Sequence, residues 1–480
     1  MSAPISADAI RTMFSVRLSE MYRSEMPRYR AMLELVARVN RDVLAAREES
    51  EDGLDEGADL DIERHGAVRV GAAAELAALR RLFAVMGMAP VGYYDLSVAG
   101  LPVHSTAFRP VGAEGLRRCP FRIFVSLLRL ELLGDLELRD EVAAILARRS
   151  ILTPRCLALL DRFDAAGGFD EAEARELVAE AIETFRWRPA ATVSCDLYRR
   201  LLAAHPLVAD IACFRGPHLN HLAAPTLDID AVQRALTVGG FEPKQIIEGP
   251  PRRRCPILLR QTSFKALAEP ILFDAPKSGG AMHAARFGEV EERGAALTVE
   301  GRVLYDRLLS AALANAGDIS APSHAAGFGL ELERQFKLFP DDAAELWTKG
   351  LALFRYRSTA EGRRRSGRLR RPVSIESLLR EGCLSIEPIV YEDFLPVSAG
   401  GIFRSNLAES REMHKLERAN RQSFEDALGC AVVDAQSLHE AEQAASLASS
   451  LEELGLPRQT PRRDEPKEGS SALLNSALRG

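Results

Sequence analysis

The sequence predicts an α+β fold in which two β-α-β-β-β units form a cupped mixed sheet, with large helical insertions. Three observations predict it. Residues 62–130 and 210–294 each divide into a strand, an amphipathic helix and three further strands. Residues 136–205, lying between them, carry apolar side chains at helical spacing. Residues 7–47 read as helix ahead of the first unit.

In chain order, Met13, Val16, Met21, Met32, Leu35 and Val36 recur at roughly helical spacing among charges and mark the N-terminal helix. Glu48–Asp61 is acidic and contains glycine, so it reads as an exposed linker. In the first unit Ile62–Val70 is a strand, Ala73–Val85 a helix, and strands follow near Val91, Pro102 and Phe121. The insertion holds helices over Glu137–Ala147, Pro154–Phe163, Glu171–Phe185 and Val193–Ala204. In the second unit the short apolar run Asp210–Phe214 reads as the opening strand. Asp228–Val238 is its helix, with Thr226 or Asp228 as the cap. Phe241–Glu248, Pro256–Ser263 and Ala285–Glu291 read as its strands. Paired units of this order are the building plan of the vicinal oxygen chelate fold, a cupped sheet around a metal. Residues 1–455 read as a single domain and 456–480, polar, charged and Pro-containing, as a disordered tail.

Composition excludes several classes. With 480 residues and 47% hydrophobic content the chain can bury a sizeable core. A formal net charge of -6 shows no basic excess of the kind nucleic-acid binders carry. Arg363–Arg371 is strongly basic but has no aromatic interleaving, so it reads as a solvated face. No apolar run approaches the ~20 residues of a membrane span, and Met1–Arg11 lacks a signal-peptide pattern. The seven cysteines are odd in number and dispersed, with no C-x-x-C pair, which points to reduced thiols and a cytoplasmic protein. The oligomeric state is left open.

Three segments carry candidate chemistry. In Glu63-Arg64-His65-Gly66-Ala67-Val68-Arg69, His65 and Arg69 share one face of a strand. Their backbones stand about 13 Å apart at ~3.3 Å per residue, so they suit the two ends of a short dicarboxylate. Gly66 would let a ligand or another backbone approach closely. In Gly216-Pro217-His218-Leu219-Asn220-His221, an H-x-x-H on a regular strand sends its imidazoles to opposite faces, and spacing leaves open which one meets the pocket. In Arg286-Phe287-Gly288-Glu289-Val290-Glu291, both glutamates share a face, so two carboxylate ligands remain possible. Two histidines and one carboxylate on separate strands would leave coordination positions free for an organic chelate and dioxygen, as Fe(II) sites require.

The segments RHGAVR, PHLNHLAAPTLDID, RFGEVEERG and YEDFLPVSAGGIF resemble those of the 2-oxoadipate dioxygenase/decarboxylase family, in order and over most of the chain. The resemblance implies a single catalytic domain that binds Fe(II) through His65, His221 and Glu289. It implies Arg69 as the substrate-binding arginine, and Val397 beside Ser398 as substrate contacts. The implied reaction turns 2-oxoadipate and O2 into (R)-2-hydroxyglutarate and CO2, in lysine breakdown. The implied partners are a 2-oxo dicarboxylate and dioxygen, with no nucleic acid and no membrane. Other readings are a different metal-dependent dioxygenase or isomerase on the same fold, a non-catalytic binding protein, or a zinc hydrolase. The last is disfavoured because no H-E-x-x-H motif is present.

Overall fold

The computed structural model describes residues 4–48, 60, 62–273, 280–316, 322–366, 373–395 and 411–457. Two helices open the chain, α1 (Ala7–Glu25) and α2 (Pro27–Glu48), where the spacing predicted one. The break falls at Pro27: a proline cannot donate to the preceding turn, and it pushes the residue before it out of the helical region. Met26 accordingly sits at φ -127°, ψ 87°.

The first unit matches its prediction closely. Strand β1 (His65–Val70) leads into α3 (Ala73–Val85), then β2 (Ala89–Asp95), β3 (Val103–Arg109) and β4 (Arg122–Leu128). Helix α3 begins where the Glu75 carboxylate accepts from the backbone N–H groups of Gly71 and Ala72, satisfying donors at the helix start.

The second unit departs at its entry. Asp210–Phe214 is not a strand; it straddles the end of a helix, Pro206–Ala212. Its apolar residues Val208, Ala209, Ile211 and Ala212 are all buried, and so short an apolar run has no period that separates helix from strand. Pro206 in the first turn and the His205 side chain accepting from Leu207 N are the start signals. The opening strand is instead β5 (His221–Pro225), followed by the helix Ile229–Val238 capped by Asp228. Phe241–Glu248 forms only isolated bridges, Pro243 with Phe264 and Glu248 with Gln261. Then come β6 (Leu259–Ser263), β7 (Leu267–Ile271) and the long β8 (Ala281–Arg293). Both β6 and β7 pair antiparallel with β8, one after the other along the same strand. Further on, β9 (Phe354–Ser358) and β10 (Leu384–Pro388) make a separate two-stranded sheet.

The main sheet runs β2-β3-β4-β1-β5-β8-β6, with β7 also on β8. The units join at β1 and β5, which pair antiparallel, while β1–β4 and β5–β8 are parallel. Each face of the sheet has its own core. Val68, Val70, Ile123, Val125, Leu222 and Val290 pack with α1, α2 and α3. Ala67, Ala107, Phe124 and Leu259 lie in the other core, with Phe214, Tyr198 and Phe394. The insertion is divided between them: Leu159, Leu177 and Phe185 join the first, Val142, Leu146 and Leu201 the second. The acidic linker at 49–59, residues 367–371 of the basic stretch and the tail from 458 onward lie outside the described residues.

Two glycines beside the candidate ligands serve the first core. A Cβ on Gly66 would meet Leu219, Ile123 and Leu222 side chains at 3.0–3.2 Å. It is therefore apolar packing, not a ligand, that approaches this glycine. A Cβ on Gly288 would stand 2.6 Å from Phe264 and 2.8 Å from Tyr29. Gly288→Ala should therefore overpack this contact and cost about 1–3 kcal/mol. Urea unfolding at equal protein concentration checks it, and an unchanged midpoint would contradict the packing assigned here.

Candidate metal centre

Register places the three candidate ligands. On one rung of the sheet His65 pairs with Ala223, and Ala223 with Glu289. Two rungs on, and so on the same face, Ala67 pairs with His221, and His221 with Phe287. Paired residues point to the same side of a sheet. The small side chain of Ala223 on the middle strand therefore leaves room for the groups on either side to reach across it. They do: His65 Nε2 lies 3.0 Å from Glu289 Oε1 and 3.2 Å from His221 Nε2, and His221 Nε2 lies 3.8 Å from Glu289 Oε1. This is the one His/Cys/Asp/Glu cluster with metal-ligand spacing among the described residues. His65 is 1% exposed and Glu289 5%.

The neighbours orient each group. Glu291, next on the same face of β8, accepts from His65 Nδ1 at 2.7 Å. That leaves Nε2 facing the cluster, the carboxylate–histidine arrangement that fixes a metal-ligating imidazole. Arg293 in turn binds both oxygens of Glu291, at 2.5 and 3.1 Å. Gln261 Nε2 donates to Glu289 Oε1 at 2.6 Å. The His221 ring stacks on Phe287, with centroids 4.7 Å apart, and the edge of His65 meets Phe394 at 4.8 Å. From the opposite face Tyr22 Oη donates to Phe287 O and lies 3.0 Å from Asn220 O, tying β8 to the entry of β5.

The electrostatics suit a cation. Burial pushes His221 down to about 3, so at neutral pH its ring is uncharged and can act as a ligand. Burial acts to raise Glu289, but His221, His65 and Lys244 outweigh it and hold the carboxyl below its ordinary range. Burial acts to lower His65, but Glu291 and Glu289 prevail and raise it. Two imidazole nitrogens and a carboxylate oxygen this close need a proton or a cation between them. Adjacent ligands with bonds of about 2.1 Å stand about 3–3.5 Å apart, close to two of the three separations found, 3.0 and 3.2 Å, the third being 3.8 Å. The donor set therefore fits a divalent metal.

The alternatives left open by spacing are now separated. His218 is not on a strand; its Nε2 lies 3.1 Å from Asp210 Oδ1, away from the triad. Of the two glutamates, Glu289 joins the cluster and Glu291 holds His65. Arg69, expected from the resemblance to bind substrate, donates from Nη1 to Asp210 Oδ2 at 2.6 Å. Val397 and Ser398 lie outside the described residues. The YEDF segment gains a structural role: Asp393 binds Arg109 at 2.8 and 3.0 Å, Glu392 binds Arg122 at 2.6 Å, and Arg293 donates to the carbonyls of Tyr391 and Asp393. Sequence reasoning missed Asp210, Gln261 and these buried arginine pairs. An acidic residue inside an apolar run was the one signal available for Asp210.

Known proteins place this geometry. The family model for 2-oxoadipate dioxygenase/decarboxylase matches residues 14–406. The 2-oxoadipate dioxygenase/decarboxylase of Pseudomonas putida is 48% identical over 455 residues, 94% of this chain and 98% of its own. That of Escherichia coli is 50% identical over 443 residues, 92% of this chain and 97% of its own. The crystal structure of hydroxyglutarate synthase from Pseudomonas putida in complex with 2-oxoadipate matches with a TM-score of 0.88 at 48% identity, covering 95% of this chain and all of that one. On sequence, length and fold alike, this chain belongs to the 2-oxoadipate dioxygenase/decarboxylase family.

Proposed function

We propose that this protein converts 2-oxoadipate and O2 into (R)-2-hydroxyglutarate and CO2, with Fe(II) held by His65, His221 and Glu289. The observation that carries the reading is the triad itself: three ligand atoms from three adjacent strands, with His65 oriented by Glu291. The conversion balances with no second reductant: one substrate carbon leaves as CO2, and the two oxygen atoms of O2 are divided between the new carboxylate and the new hydroxyl. A 2-His-1-carboxylate ferrous site supplies open positions for a 2-oxo acid and dioxygen, and the redox chemistry between them.

The chain's own residues do the rest. Arg69 lies on the same face of β1 as His65, and its Nε and Nη2 carry no hydrogen bond among the described residues. It is therefore free to take the distal carboxylate of a diacid whose 2-oxo end meets the triad. A guanidinium presents a planar fork there, which an ammonium cannot reproduce. Gln261 keeps Glu289 turned toward the two imidazoles. Phe394 and Phe124, with ring centroids 4.9 Å apart, form an apolar wall beside His65 that limits water. No helix among the described residues is long and apolar enough to cross a membrane, and all seven cysteines are unpaired. The free thiols support a cytoplasmic location.

Three outcomes test this reading. Oxygen uptake should match CO2 release one to one with 2-oxoadipate and Fe(II); an isomerisation would consume no oxygen. His221→Ala and Glu289→Ala should lose iron, so undiminished metal binding in either would refute the ligand assignment. Arg69→Lys should raise KM roughly tenfold with iron content unchanged, whereas Glu291→Gln should lower metal affinity by about 10–100-fold. Metal titration and oxygen-electrode kinetics separate these two effects.

A further inference from the structure

Behind Arg69 lies a second buried polar cluster that the reaction outlined above does not use. Its centre is Asp210, 5% exposed, near the end of the Pro206–Ala212 helix. Oδ1 accepts from His283 Nε2 at 2.9 Å, and His218 Nε2 stands 3.1 Å from it and 3.3 Å from Asn220 Nδ2. Oδ2 accepts from Arg69 Nη1 at 2.6 Å and Asn220 Nδ2 at 3.2 Å. Three hydrogen-bond donors and the His218 imidazole thus surround a carboxylate that can accept about four such bonds. Both imidazoles are themselves fixed. Tyr198 Oη is 3.2 Å from His283 Nδ1, and the edge of the His218 ring meets Trp187 at 4.6 Å. His218 and His283 are each under 5% exposed. Asp210, His218 and His283 do not have metal-ligand spacing, so the node is a hydrogen-bonded anchor and not a second metal site.

Two members of the anchor lead toward the active site: Asn220, which precedes His221, and Arg69, which shares a face with His65. Arg69 is the node's member on β1, and Asp210 holds it by a single nitrogen, leaving other donors of the fork free. An arginine side chain otherwise loses much rotamer freedom whenever it binds a ligand. Here that loss is largely met in advance, and the guanidinium stands at a set distance along β1 from His65.

We propose that Asp210 is a positioning residue that fixes the reach of Arg69, and thereby sets which chain length of 2-oxo diacid the site prefers. The proposal rests on the reading of Arg69 as the group that binds the distal carboxylate. It assigns His218 and His283 to holding Asp210, not to touching substrate.

The test is oxygen uptake by the Fe(II)-loaded protein with five-, six- and seven-carbon 2-oxo diacids. Wild type, Asp210→Asn, Asp210→Glu, Arg69→Ala and the Asp210→Asn/Arg69→Ala double variant are compared. Asp210→Asn should raise KM for the six-carbon acid roughly tenfold, the size of one lost charge-assisted hydrogen bond. It should leave kcat and iron content nearly unchanged and flatten the preference among chain lengths. Asp210→Glu keeps the charge but displaces it by one methylene, so it should move the preference and not merely weaken binding. In the Arg69→Ala background Asp210→Asn should add nothing. An Asp210→Asn effect that adds in full to Arg69→Ala, or a fall in kcat and iron content at unchanged chain-length ratios, would overturn the proposal. If Asp210→Asn does not fold, the Asp210→Glu ratios decide alone, and unaltered ratios count against it. Wild type inactive on all three acids would overturn the functional reading and this proposal with it. An active wild type indifferent to both Asp210 changes would overturn this proposal alone.

Discussion

The antiparallel pairing of β1 with β5 is three residue pairs long, and the site depends on it. It joins the two units, and it brings His65 within reach of His221 and, across Ala223, of Glu289. Side chains alternate along a strand, so a slip of one residue would turn His221 to the other face and break the triad. The structure guards this register from both ends: Arg64 N donates to Ala223 O, and Asn220 N to Ala67 O, each at 2.9 Å. Tyr22 fastens the same junction from the far side through the carbonyls of Asn220 and Phe287. The apolar core under β1, β5 and β8 therefore serves the chemistry by making one register the only one that buries Val68, Leu222 and Val290 together.

The site face of the sheet is costly by contrast. It carries the charges of Arg109, Arg122 and Arg293 with Glu289, Glu291, Glu392 and Asp393, nearly all removed from water. Buried ion pairs often gain no stability over apolar side chains of similar size, because desolvation consumes their attraction. What such a network provides is placement. Each partner has one low-energy position, and breaking any pair leaves an uncompensated charge. The chain from Arg293 to Glu291 to His65 is an instance: the arginine holds the carboxylate and the carboxylate holds the imidazole, so the ligand nitrogen has a fixed direction.

Much of this was legible in the sequence where local signals and final structure agree. The first unit was readable because α3 has a clean apolar period and its strands are separated by turns. His65, with Arg69 on the same face, follows from period-two geometry on β1. Glu289 and Glu291 were seen to share a face, yet no local rule could tell ligand from orienting partner. That difference is set by which neighbouring strand each faces: Glu289 is on a rung with Ala223 and Ser263, Glu291 with Pro225 and Gln261. Asp210–Phe214 misled because its apolar run is buried all round within a short helix, and burial of that kind erases periodicity. Asp393 and Arg109 are 284 residues apart, Asp210 and Arg69 141, and Gln261 and Glu289 28, and long-range pairs of this kind leave no trace in local pattern.

Charge accounting links the two buried clusters. Glu291 is neutralised by Arg293, so the triad contributes a single negative charge through Glu289. A divalent metal there would leave the centre with one net positive charge, suited to one carboxylate of a dianionic substrate. On the proposed reading the second carboxylate would meet Arg69, whose charge Asp210 balances. Substrate would then share the guanidinium with Asp210 and bind through the donors that Asp210 leaves open. An unopposed arginine would attract any anion; one held by a carboxylate rewards a ligand that arrives in the right plane and at the right distance. On this argument the protein gives up some affinity for anions in general in exchange for discrimination among diacids by length.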